Sequence, residues 1–203
     1  MTLTFGTREG ILKHGSRRNA RSLGELGLRF LDKQQPGLEA QLANIADEIA
    51  YNNQDVDDGL RAGLLTVEEL RDVPIFSRAY ESVRGMRATL GQRKLIHEIV
   101  RRMIDEVVTD LYSATCLQID ESGIETIQDV RRRPRALVGM SEAMSDAHLE
   151  LKRYLADSLY RHERVARMTR RAGRMVRGLF ERYMAEPGLM PDEHAHRARE
   201  LRN

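Results

Sequence analysis

The chain has 203 residues, 41% of them hydrophobic and 32% charged, too apolar for a disordered tail and enough for one or two modest cores. Aromatic residues make up only 5%, with no Trp, which favours packed helices over sheets rich in aromatic and β-branched residues. The formal charge of +2 conceals a segregation: residues 34–60 hold six carboxylates and no Lys or Arg, whereas residues 161–182 hold eight arginines, so the chain has an acidic centre and a basic arm.

In chain order, residues 3–14 read as a short helix ending at Gly15, and residues 15–37, with scattered Ser, Gly, Asn and Pro36, as a variable connection. Leu38, Leu42, Ile45, Ile49, Val56 and Leu60 recur at helical spacing up to Gly59 and Gly63, which predicts one amphipathic central helix over 38–60. Thr66 followed by Glu69 is a capping-box signal for a short helix, Pro74 interrupts, and 75–89 is expected to be helical. A long helix is predicted over 92–119, its buried stripe made of Leu95, Ile99, Met103, Ile104, Val107, Val108 and Leu111. Gly123 and Pro134 bound a short irregular piece. Helices are expected again at 145–160 and at 163–185, the second stopped by Pro187 and Gly188, with a frayed polar helix over 192–203. The fold class is therefore all-α. A lone Cys116, no signal-peptide pattern at the start and no apolar run of spanning length point to a cytoplasmic protein with no membrane partner.

At about 100° per residue, Asp47, Tyr51 and Asp55 fall on the side of the central helix opposite its apolar stripe, at i, i+4 and i+8. Such a face is ordinarily solvated. Here it also carries Ala40, Ala43 and Ala50 with no basic residue to offset the acids, which suggests close packing by a partner element or ligand. Two carboxylates and a Tyr suit a hard cation and a polyhydroxyl or phosphate ligand. Asp55, Asp57, Asp58 and Gly59 do not form an EF-hand, because the Gly is one place early and Thr66 stands where the bidentate Glu belongs. The chain has no CxxC pair, HExxH, GxSxG or GxxxxGK[ST].

The run EAQLANIADEIAYNNQDVDDGL (39–60) resembles the final-aspartate helix of the HD-superfamily deoxynucleoside triphosphate triphosphohydrolases, the dGTPase-like proteins. The resemblance extends to LTFGTREGILKH (3–14), QRKLIHEIVRRMI (92–104) and LADSLYRHERVARM (155–168), and so covers nearly the whole chain. It implies the C-terminal half of an HD-domain helical bundle over 1–92, followed by the phosphohydrolase-associated helical region over 93–203. The implied reaction is hydrolysis of a dNTP to deoxynucleoside and triphosphate, with a divalent ion such as Mg²⁺ or Mn²⁺ held by two His and two Asp. Asp47 matches the last metal ligand, Tyr51 a residue that contacts sugar and phosphates, and Asp55 an acceptor for the 3′-hydroxyl. Arg93 and Lys94 are candidates for the polyphosphate, or else form a solvated helix start.

The family's first His and its His-Asp dipeptide precede that aspartate, yet none of the six histidines here is followed by Asp. The resemblance therefore implies an incomplete chain, a fragment, split product or degenerate relative, inactive alone, its remaining ligands supplied by an upstream segment or separate polypeptide, and its partner a missing N-terminal half or further copies in a homo-oligomer. The alternative is a non-catalytic helical oligomerisation or nucleotide-binding module. In the basic arm, Arg161, Arg164, Arg167, Arg171 and Arg174 lie opposite Val165, Met168, Ala172, Met175, Val176 and Leu179, predicting one packed and one basic face. The basic face is solvated, or contacts a subunit or nucleotide phosphates, or binds single-stranded nucleic acid. The absence of interleaved aromatic residues disfavours the last.

Overall fold

The computed structural model describes residues 3–12, 24–32, 34–86 and 91–200, and among these there is no strand, which bears out the all-α expectation. The helices are α1 (Phe5–Leu12), α2 (Gly24–Leu31), α3 (Leu38–Arg61), α4 (Val67–Leu70), α5 (Pro74–Val83), α6 (Gln92–Ser122), α7 (Ile127–Arg132), α8 (Glu142–Leu155), α9 (Glu163–Ala185) and α10 (Asp192–Glu200). The chain divides into two compact units, Met1–Leu155 and Ala156–Asn203.

In the first unit α3 and α6 run antiparallel. Leu60 shares a cavity wall with Gln92 and Leu95 at one end, and Leu38 shares one with Ile119 at the other. Helix α5 packs against both α6 and α8, and α8 against α3. The core sits between them, with Val56, Phe76, Ile99, Met103, Leu151 and Leu155 fully buried, each side chain contributing about 1.5–3 kcal/mol of transfer free energy.

Local sequence explains the ends of these elements. Thr66 and Glu69 form the expected capping box on α4, Thr66 Oγ1 accepting from the Glu69 N–H at 3.3 Å and Glu69 Oε2 from the Thr66 N–H at 3.1 Å. Pro74 does not merely interrupt: it occupies the first turn of α5, where its missing N–H costs nothing. Ser141 caps α8 and is itself held by Asp110 of α6, at 2.9 Å through its N–H and 2.6 Å through its hydroxyl. Helix α6 ends on Gly123 at φ 63°, the left-handed conformation that a glycine adopts without strain.

Three expectations are corrected. The connection over 15–37 contains α2, a helix ordered by contact: the Arg29 guanidinium lies 4.5 Å from the Phe5 ring of α1, and Gly27 is buried. The irregular piece between Gly123 and Pro134 contains α7, started by a capping box of Thr126 and Asp129. In α6, Ile104 and Val108 are exposed while Ile96 and Val100 are buried, because α3 and α5 both press on the helix and shift its buried arc. Residues 13–15, 87–89 and 201–203, the expected ends of three helices, lie outside the described residues.

The second unit begins with a π-helical turn, Ala156–Tyr160, after which α9, a 3₁₀ turn at Pro187–Leu189 and α10 follow. His162 caps α9, its Nδ1 accepting from the Arg164 N–H at 3.2 Å. Ala195 of α10 is buried, but α9 has no buried residue.

Candidate functional site on the acidic face of α3

Asp47, Tyr51 and Asp55 lie on one side of α3, as its period requires. Asp47 is exposed and Tyr51 keeps 61% of its surface, while Asp55 is half-buried and engaged with its surroundings. At 1.5 Å per residue, Asp47 and Asp55 stand about 12 Å apart along the axis, too far for both to ligate one ion. Among the described residues no three of His, Cys, Asp and Glu gather closely enough to hold a metal. The described residues therefore do not make a complete metal centre, and at most one carboxylate of this face could reach a given ion.

The opposite side of α3 anchors this face. Gln41, Asn52 and Asn53 are buried on the same arc as Ile49 and Val56. Gln41 Oε1 accepts from the N–H groups of Leu137 and Val138 at 2.8 and 3.1 Å, and its Nε2 donates to the Pro36 carbonyl at 2.9 Å. Asn52 Nδ2 lies 3.1 Å from Nε2 of buried His148 on α8. The amide donates there, so the imidazole accepts and is neutral, with its proton on Nδ1. Burial holds His148 below its ordinary value of 6.5; nearby Glu48 opposes this and Lys152 reinforces it. Lys152 and Glu48 are themselves paired across the same seam at 2.7 Å. These polar contacts fix the rotation of α3 and hence which side chains face outward. Leu42, expected in the apolar stripe and on the arc of Ile49 and Val56, is corrected to an exposed position at 48%.

The small residues of that face are partly used in packing. A Cβ placed on Gly10 of α1 would come within 3.2 Å of the Ala40 Cβ, so α1 approaches α3 closely at that point, whereas Ala43 and Ala50 stay exposed. Between α1, α3 and α7 lies a cavity of about 650 Å³ whose wall includes Thr7, Glu9, Ala43 and Arg131. Ala43 is one turn before Asp47, so the cavity adjoins the acidic face. Glu9 and Arg131 pair at 3.2 Å with both side chains only 10% exposed. Sequence reasoning did not find this pair, which joins residues 122 positions apart. Arg93 and Lys94 are exposed in the first turn of α6, by the C-terminal end of α3.

The basic arm is α9. Its arginines are exposed, and so is the face predicted to be packed: Met168, Met175, Val176 and Leu179 all lie open. Clean sequence segregation of the two faces does not by itself supply a partner.

A family model of the phosphohydrolase-associated domain matches residues 138–203. A deoxyguanosinetriphosphate triphosphohydrolase-like protein of Thiobacillus denitrificans is 50% identical over 197 residues, 97% of this chain and 52% of that protein. Similarly named proteins of Bordetella pertussis and Nitrosomonas europaea are 50% and 43% identical, covering 96% and 98% of this chain and 50% and 53% of their own lengths. The chain thus spans about half the length of the curated relatives it matches. No helix among the described residues is long and apolar enough to cross a membrane.

Proposed function

We propose that this chain, which belongs to the deoxyguanosinetriphosphate triphosphohydrolase-like family, forms part of a dNTP triphosphohydrolase, with α3 supplying one wall of the site. Asp47 would provide one ligand to a divalent ion such as Mg²⁺ or Mn²⁺, whose remaining ligands come from outside this chain. That ion, when bound, would supply charge neutralisation at the phosphates. Tyr51 contacts the sugar and phosphates, Asp55 accepts a hydrogen bond from the 3′-hydroxyl, and Arg93 and Lys94 offset polyphosphate charge. The observation that carries this reading is the open face of α3, where Asp47 and Tyr51 stand exposed with no basic residue between 34 and 60.

By itself the chain is expected to turn over no dNTP, because one carboxylate cannot replace a multidentate site. A second reading, a non-catalytic module working through helical contacts, is favoured by the apolar side chains of α9 that are exposed among the described residues. The native protein, purified from its source, discriminates between them by mass and by hydrolysis of dNTPs with Mn²⁺. A larger species that releases triphosphate, and loses that activity in the Asp47→Ala variant, supports the first. A native chain of 23.3 kDa without activity supports the second.

A further inference from the structure

At about 100° per residue, Gln41, Glu48 and Asn52 of α3 lie within about 20° of one line along the helix. On one side of that line is the buried arc of Ile49, Asn53 and Val56. On the other, Asp55, Tyr51 and Asp47 follow at about 40°, 80° and 120°. The line is thus the border between the packed side of α3 and its acidic face. All three residues are met from 137–152: Gln41 by the N–H groups of Leu137 and Val138, Glu48 by Lys152, and Asn52 by His148. The family match begins at Val138, so this border is held by the start of the phosphohydrolase-associated region.

Apolar burial is non-directional and leaves α3 free to turn somewhat about its axis, whereas hydrogen bonds weaken steeply away from their geometry. At an outer radius of about 5–6 Å, a turn of about 20° carries a side-chain tip about 2 Å. A misplacement of about 1 Å is enough to cost a reaction about a hundredfold. Gln41 and Asn52 are the two buried anchors, about 16 Å apart along the axis, and Asp47 and Tyr51 stand between them. The Glu48–Lys152 pair is exposed on both sides and adds little. Gln41 is met by the main chain, but Asn52 by one buried side chain, His148. His148 is therefore the point at which a single substitution loosens the rotation of α3 without stranding main-chain donors.

We propose that His148 is a positioning residue for the reaction: through Asn52 it holds α3 at the rotation in which Asp47, Tyr51 and Asp55 face one ligand. The associated region thereby serves the site without touching substrate. This rests on the reading of α3 as a wall of a dNTP site. The test measures triphosphate release by the native protein with Mn²⁺, below the melting temperature of every variant. His148→Leu removes the acceptor, and His148→Gln replaces it with a carboxamide oxygen. The double variant Asn52→Leu with His148→Leu removes both partners, which restores stability without restoring the bond. His148→Leu and the double variant are each expected to raise the KM for the dNTP and the half-saturating Mn²⁺ concentration roughly tenfold, and His148→Gln to return both towards the parent values. Parent values in the double variant would mean that His148 contributes stability alone, and overturn the proposal. Parent values in His148→Leu overturn it too, as does a His148→Gln variant no better than His148→Leu. Where His148→Leu fails to fold, the double variant decides. A native protein that releases no triphosphate overturns the reading of α3 as a dNTP site and this inference with it, whereas an active parent with unaltered variants overturns the inference alone.

Discussion

His148 and Asn52 show how two side chains 96 positions apart set the orientation of a helix face. Because the imidazole accepts from the Asn52 amide, Asn52→Ala leaves a buried acceptor unpaired and is expected to cost about 1–3 kcal/mol, measured by urea unfolding. Protonating His148 destroys the same bond. Its folded-state pKa lies below the ordinary 6.5, so the unfolded chain takes up the proton first as pH falls. The stability gained from neutral His148 is therefore fully present above 6.5 and is lost as pH drops through its lowered value. Unfolding midpoints of the parent should fall below pH 6.5 relative to those of His148→Leu; parallel curves would refute the assignment. Gln41→Leu strands the N–H groups of Leu137 and Val138 and is expected to cost about 1–3 kcal/mol for each. The angular positions of Gln41, Asn52 and Asn53 were legible in the sequence, since they lie on the arc of Ile49 and Val56. That they are buried was not, because their partners are remote in the chain and polar residues at such positions are more often taken as solvated.

At the scale of the element, long helices were legible and short ones were not. Periodicity over 38–60, 92–119 and 163–185 fixes α3, α6 and α9 almost to the residue, because several turns of one apolar arc cannot be mistaken for strand. Helices α2 and α7 have eight and six residues, too short to be stable on their own, and depend on contacts the sequence does not announce. The apolar face of α9 marks the converse limit, since among the described residues Met168, Met175, Val176 and Leu179 of an arc written for packing are exposed. This gives a contrast between two methionines. Met103→Ala in the fully buried stripe of α6 is expected to destabilise by about 2–5 kcal/mol. Met168→Ala on α9 should change stability by no more than about 0.5 kcal/mol. Equal losses in denaturant titrations would mean that the face of α9 is covered after all.

For the whole molecule the decisive quantity is how much of a site one chain can hold. Nearly all of this chain aligns with about half of each relative, and α3 presents Asp47 to solvent about 12 Å from Asp55. A lone exposed carboxylate binds a divalent ion only weakly, at a dissociation constant of about 1 mM or more, since affinity depends on the number of converging oxygen ligands. At about 1 mM Mn²⁺ the linked gain in stability is then RT ln 2, about 0.4 kcal/mol at most. For a chain of this size that is a rise in melting temperature of roughly 1 °C, and Asp47→Ala should remove it. Adding a dNTP with the metal should do no better, because under the proposed reading Tyr51 and Asp55 would meet a ligand whose phosphates lack most of their counter-charges. A metal-dependent rise of several degrees, abolished by Asp47→Ala, would mean that the chain closes a metal site by itself or through a second copy. Sedimentation at the same metal concentration separates those two cases, since only the second changes the mass.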